Sequence, residues 1–435
     1  MSPNLTTIPL EILIQVTSYL DTRDYAAVRL VCRKLEFLLF RPFAQKYFTL
    51  IWFMRTEYDL QALVDISESR LSPYLKHVLI EEDIFCWGVF KQRENDSYFI
   101  NKTLKCLRLV SPRERLKFLE FAAEQSEFLS TGRDRELLIK AFRNLQLETV
   151  EIRGLPFFGH YKIRSSGTYK AYKKTRLHNR FFTHPDLRPD LQPDLFEWDL
   201  FAKCAQSVLL ALVDSRARPR RFKIYAMLPA MNGRALNIPD FPEDAVQSMA
   251  SSLETMEIEI DSDRPPGLEY PFNSVISHAT HLKKLRIVAR VNSEFIQWLG
   301  APVSHNGYNI PPPALTELHH CSLRGCNLPM LSLLYLIQKC SSLRRLVVFD
   351  VECLDFRMID DLGSDEAALV RLLKKILQSS THLEFICLVK LNLVRWEKRV
   401  VFSRNNGPLR PSFIYKGENM KEELEELKIA VEAVE

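Results

Sequence analysis

Side chains able to do chemistry are spread through this chain in patterns that exclude more reactions than they suggest. The carboxylate runs Asp360-Asp361 and Glu81-Glu82-Asp83 have no adjoining histidine or cysteine, so neither has the partner an acid–base pair needs. No phosphate loop, dinucleotide fingerprint, nucleophile elbow or H-E-x-x-H helix occurs, and the 13 glycines stand singly. The one cluster with metal-binding chemistry is His319, His320, Cys321 and Cys326. Its spacing fits no zinc pattern, and on a strand only one of each adjacent pair faces a given side. The nine cysteines are scattered, and Cys106, Cys204, Cys340 and Cys387 fall inside apolar runs, where cysteine packs as a small hydrophobe. No disulfide framework, catalytic residue, metal or cofactor is expected, and no enzymatic activity.

One segment has binding chemistry. Within residues 160–188, Lys162, Arg164, Lys170, Lys173, Lys174, Arg176, Arg180 and Arg188 stand against Asp186 alone, interleaved with Tyr161, Tyr169, Tyr172, Phe181 and Phe182. Such a segment can stack bases while neutralising phosphate, or grip an acidic or phosphorylated partner, or simply be a solvated loop. The Pro-Asp-Leu tandem at Pro185, Pro189 and Pro193 excludes helix and central strand there.

Composition bounds the rest. At 46% hydrophobic, 26% charged and net +5 over 435 residues, the chain reads as globular and soluble, with too little charge asymmetry to argue for nucleic acid. No run approaches a membrane span and the first residues form no signal peptide, so a cytoplasmic or nuclear protein is expected.

Residues 5–48 read as three short helices. Ile8, Ile12, Leu13, Val16 and Leu20 recur at helical spacing behind Pro9, placed as a first helical residue. Asp21 or Thr22 can cap the second helix. The third carries Leu30, Val31, Leu35, Leu38 and Leu39 and is expected to stop at Pro42. The order Ile-Pro-Leu-Glu-Ile-Leu, Tyr-Leu-Asp, Arg-Leu-Val-Cys-Arg-Lys-Leu resembles the F-box. That resemblance implies docking on a Skp-type adaptor, and through it a cullin, with Pro9, Ile12, Leu13, Leu20, Val31, Cys32 and Leu35 as the adaptor-binding residues.

Beyond residue 48 a weak unit recurs. Its clearest copies begin at Leu282 (Leu285, Ile287), Leu315 (Leu318, His320), Leu343 (Leu346, Val348) and Leu383 (Ile386, Leu388). Earlier ones begin at Leu75, Leu104, Leu147 and Leu253, with a degenerate copy at Phe222-Lys-Ile224. Helical spacing precedes many of them, at 134–146, 199–215, 243–252, 328–340 and 365–378. Helix, turn and strand in alternation predict parallel strands. The unit resembles a leucine-rich repeat, longer than usual and with Leu155, Leu323, Val351 and Leu391 where asparagine normally follows the strand.

The expected fold is therefore α/β: an F-box over 1–50, an irregular leucine-rich-repeat-like solenoid over 51–417 with an insertion at 156–198, and an acidic C-terminal helix or cap over 418–435. Further loops are expected at 261–271 and 300–313. With leucines pointing inward, Lys223, Tyr225, Glu257, Lys284, Arg286, His319, Arg345 and Phe349 are candidates for an open, target-binding face. The combined resemblance implies the substrate-recognition adaptor of a cullin–RING ubiquitin ligase, acting on an unknown target protein. The alternative is a nucleic-acid- or phospho-partner-binding scaffold that uses 160–188.

Overall fold

The computed structural model describes residues 5–81, 120, 123–125, 127–154, 195–227, 243–261, 273–289, 293–303, 310–354, 365–379, 383–393, 398–404, 408–417, 422 and 427–433. The basic segment 160–188, the copy at Leu104 and the loop at 262–271 lie outside them.

The N-terminal module comprises α1 (Leu10–Ser18), α2 (Thr22–Arg29) and α3 (Arg33–Phe48). Pro9 is the N-cap of α1 and not its first helical residue, and its carbonyl accepts from Leu13 N at 3.1 Å. Asp21 caps α2, its carboxylate accepting from Asp24 N at 2.8 Å. Pro42 does not end α3 but lies inside it. An interior proline costs about 3 kcal/mol, through a lost N–H bond and a clash with the carbonyl four residues back. Continuing the helix buries Phe43, Ala44 and Tyr47, each large apolar side chain contributing roughly 1.5–3 kcal/mol. Burial wins. Tyr47 also donates to Leu20 O at 2.9 Å and Lys46 to Ser18 O at 2.7 Å, tying the last turn to the end of α1.

Leu13, Tyr25, Leu35, Leu39, Phe43 and Tyr47 form a core separate from that of the remaining chain. Contacts from α2 and α3 join the module to the segment around Arg70 and Tyr74. Glu36 pairs with Arg29 at 3.1 Å and with Arg70, whose guanidinium lies 4.0 Å from the Phe40 ring centroid; Phe40 meets Tyr74 edge-on.

The rest is one sheet with a helix on nearly every crossover. Its rungs are β1 (Leu50–Met54), β2 (His77–Glu81), β3 (Thr149–Arg153), β4 (Arg221–Met227), β5 (Thr255–Asp261), β6 (Lys284–Ala289), β7 (His320–Arg324), β9 (Arg345–Leu354) and β10 (Phe385–Leu393), with the short β8 (Asn327–Pro329) beside β9. Each rung pairs in parallel with the next in sequence order. The first rung, β1, begins straight after α3, where no repeat copy was expected. The helices are α4 (Glu57–Ser67), α5 (Arg133–Asn144), α6 (Leu195–Ser215), α7 (Glu243–Ala250), α8 (Asn273–His278), α9 (Ser293–Gly300), α10 (Met330–Lys339) and α11 (Asp365–Ser379). From α4 to α8 and from α9 to α11 each packs on its successor. Helix α6 starts at Leu195, four residues before its expected start and inside the expected insertion; neither α4 nor α9 was expected.

Gly300, the last residue of α9, lies so close to α10 that a Cβ there would sit 2.6 Å from Ser332 O. Lys339 closes the same junction, donating to Leu299 O at 3.2 Å and Ala301 O at 2.6 Å.

Inward positions align across the sheet: Val78, Val150, Phe222, Met256 and Leu285 are register partners, and all are buried. The register corrects the reading of β7. Leu285 pairs with Cys321 and Ile287 with Leu323, so the unit is Leu318-x-x-Cys321-x-Leu323. Cysteine, filling a small apolar site, hid the true frame. In this frame the next inward residues are Cys326 and Leu328, both fully buried, where Leu323 had been read as the post-strand position.

Inward residues 323 and 326 are three apart, an odd spacing that pleated alternation cannot supply. Gly325 resolves it with φ 68°, and the residues at the same point of the next two rungs, Asp350 (φ 54°) and Lys390 (φ 53°), adopt the same left-handed backbone. Three successive strands thus turn through one device.

The expected acidic C-terminal helix is not formed over the residues described at its end. β11 (Lys398–Arg404), β12 (Ser412–Lys416) and β13 (Leu427–Ala433) close the sheet as antiparallel strands, with β11 and β12 on β10 and β13 on β11. The last of them alternates, with Leu427, Ile429 and Val431 packed on the core. Its β-branched residues suit a pleated half-buried surface.

Candidate functional site

Two surfaces emerge. On the N-terminal module the seven sequence-derived adaptor residues divide. Leu13 (3% exposed) and Leu35 (1%) are core, while Leu20 and Cys32 are half-buried against it. Pro9, Ile12 and Val31 (69%) are exposed. The exposed apolar set is larger than those three. Ile12 and Val16 lie one turn apart on α1, continued by Tyr19 (84% exposed) just past its end, and Leu30 precedes Val31 in the α2–α3 turn. Tyr19 and Leu30 carried no signal separating them from ordinary core residues; only the packing shows them uncovered.

The second surface is the face of the sheet opposite the inward residues. Register places Lys223, Glu257, Arg286, Ser322, Val347 and Cys387 along its midline. His319 is not among them. It lies exposed before β7, its carbonyl accepting from Arg344 N and Arg345 N, and Ser322 holds the midline position. His320 lies on the open face and Cys321 points into the core, so the two sit on opposite sides of the sheet. Among the described residues no group of His, Cys, Asp and Glu could hold a metal ion.

The central part of this face neutralises itself. Glu257, buried, accepts from Tyr225 Oη at 2.8 Å and Lys284 Nζ at 2.6 Å, with Lys223 Nζ at 3.7 Å. Burial alone would raise its pKa, but the bonds from Lys284 and Tyr225 and the charges of Lys223 and Lys284 outweigh that and hold it below the usual carboxylate value. The same arrangement pushes Tyr225 up, through burial first and then the bond to Glu257. Arg286 pairs with Glu259 at 3.0 Å. Glu151 repeats the theme, meeting His77 at 3.0 Å and Arg153 at 2.5 Å. Burial works to raise its pKa, but these two partners together hold it low.

Lys223, Tyr225, Glu257, Lys284 and Arg286 are thus brought together, chiefly with one another and Glu259. Arg345 and Phe349 sit further along, outside this network. Burial, then the charges of Lys284 and Arg345, push the neighbouring His320 down to about 4.

No helix among the described residues is long and apolar enough to cross a membrane. No curated protein matches the chain. Residues 5–48, about a tenth of its length, match the F-box-like family, so α1 to α3 constitute an F-box-like domain followed by a mixed α/β region with a largely parallel sheet.

Proposed function

We propose that this chain is the target-recognition subunit of a cullin–RING ubiquitin ligase, its F-box-like domain docking on a Skp-type adaptor and its sheet region receiving a target protein. The observation that carries this reading is the F-box-like match over residues 5–48 on a module whose own core leaves Ile12, Val16, Tyr19, Leu30 and Val31 uncovered. A module of about forty residues seldom exposes so much apolar surface without a partner. The chain itself performs no chemistry; ubiquitin is transferred by other subunits.

The sheet region supports the receptor half of the reading. The corrected unit, Leu318-x-x-Cys321-x-Leu323-x-x-Cys326-x-Leu328, carries cysteine where a leucine-rich repeat has asparagine or cysteine. With helices stacked behind strands in sequence order, the region reads as a leucine-rich-repeat-like solenoid whose outward face carries no helix among the described residues.

The test is co-purification of the full chain with a Skp-type adaptor. Ile12→Asp with Val31→Asp, both at exposed positions, should abolish capture while moving stability by no more than about 0.5 kcal/mol. Capture unaffected by this pair would refute the docking assignment.

A further inference from the structure

The open face is electrically lopsided. From β3 to β6 its described carboxylates, Glu151, Glu257 and Glu259, are each matched by His77, Arg153, Lys223, Lys284 or Arg286. From β7 to β10, before the left-handed residues 325, 350 and 390, the outward positions carry no carboxylate: they are His320, Ser322 and Arg324, then Arg345, Val347 and Phe349, then Phe385, Cys387 and Val389. Arg324 and Arg345 are exposed and form no ion pair among the described residues. Each is instead seated on a ring, Arg324 4.8 Å from the Phe349 centroid and Arg345 4.3 Å from that of Phe385. Nearby acids are otherwise placed: Glu384 pairs with Arg344 at 3.9 Å, and Asp350 and Glu352 follow Phe349 at and after the left-handed turn of β9. His320 is held low first by burial and then by the charges of Lys284, Arg345 and Arg286, against which only Glu257 acts.

The spacing of the two guanidiniums is set by the register. Arg345 pairs with His320, and Arg324 lies four residues further along the neighbouring strand. At about 3.3 Å per residue and about 4.8 Å between strands, their Cα atoms are roughly 14 Å apart. Between them lies half-buried Val347, with Phe349 beside Arg324. In an extended peptide, positions i, i+2 and i+4 share one face and span about 13 Å. Helical positions i and i+4 are only about 6 Å apart and would not reach both.

Resting on the receptor reading above, we propose that the β7–β10 part of the open face binds an extended acidic segment of the target protein, patterned Glu-x-apolar-x-Glu. The outer carboxylates would pair with Arg324 and Arg345, and the apolar residue would lie on Val347 and Phe349. Ring stacking holds each guanidinium in place, so little side-chain freedom is lost on pairing.

The experiment is fluorescence anisotropy of the full chain with a labelled peptide, Ser-Glu-Ser-Leu-Ser-Glu-Ser, beside its Gln-for-Glu analogue. The acidic peptide should bind, weaken with salt, and bind about tenfold better than the Gln analogue. Arg324→Glu with Arg345→Glu should cost at least about tenfold, and the milder Arg345→Gln a smaller part, with the melting profile of the wild type retained. Absent binding, equal binding of the Gln analogue, or indifference to the double reversal overturns the proposal. So does a phosphoserine version that binds where the glutamate peptide does not, or displacement by oligouridine at lower concentration than by unlabelled peptide. Adaptor capture is read in parallel: its loss with peptide binding intact sinks the ligase reading alone, and the converse sinks this one alone.

Discussion

Replacing Glu257 by Gln keeps the size of the side chain and removes its charge, which tests whether the central network holds the sheet or only decorates it. The carboxylate is 6% exposed and receives two close hydrogen bonds, from Lys284 at 2.6 Å and Tyr225 at 2.8 Å. A hydrogen bond to a charged group contributes about 1.5–3 kcal/mol, but the Lys284 amine can regain water when released, so the substitution should cost about 2 kcal/mol. Urea unfolding at neutral pH, compared at constant m, reads this directly. A double-mutant cycle with Lys284→Met should return a coupling of about 1 kcal/mol. The pH dependence supplies a second reading. The folded pKa is depressed below the ordinary 4.5, so the stabilisation is fully present above 4.5 and is lost as pH falls through the lower folded value. The gap between wild type and variant should therefore close below that pH. A cost under about 0.5 kcal/mol at pH 7, or a gap unchanged in acid, would refute the reasoning.

The histidine beside this network acts in the same sense, over a different pH window. The folded pKa of His320 is about 4 against an ordinary 6.5, so the unfolded chain binds more protons between them and stability falls as pH drops across that window. His320→Asn should flatten that part of the stability curve by about 1 kcal/mol once solvent screening is allowed for; an unchanged slope contradicts it. Gly300→Ala should lower stability by about 1–3 kcal/mol, because the added carbon meets the Ser332 carbonyl and backbone must move; a neutral melt would show the helices can separate freely. Pro42→Ala should stabilise the N-terminal module by about 1–2 kcal/mol, read as a higher denaturation midpoint, since it restores an N–H within α3. Leu35→Ala should cost about 2–5 kcal/mol where Val31→Ala costs almost nothing, and equal effects would contradict the division between core and surface.

Local periodicity was enough to locate the three N-terminal helices, most of the parallel strands and the inward residues of each, because 3.6- and 2-residue patterns are imposed by the element that carries them. It failed where a distant partner made the decision. Cys321 takes an inward site only because Leu285 lies beside it, and no local signal ranks it above the leucine three residues earlier. Residues 427–433 fit both an acidic helix and an alternating strand until β11 offers them an edge. Pro42 would end an isolated helix, yet Phe43 and Tyr47 find Tyr25 and carry α3 past it. On the N-terminal module Ile12 and Leu13 are chemically alike, and packing with α2 and α3 buries one and leaves the other exposed. On the open face the charges were legible as types but not as pairs: Glu257 meets Lys284 and Tyr225 across two strand junctions, whereas Arg324 and Arg345 sit on rings and pair with no carboxylate among the described residues. Which charge is spent and which is free depends on inter-strand register, and register is set by burying leucines that are far apart in sequence.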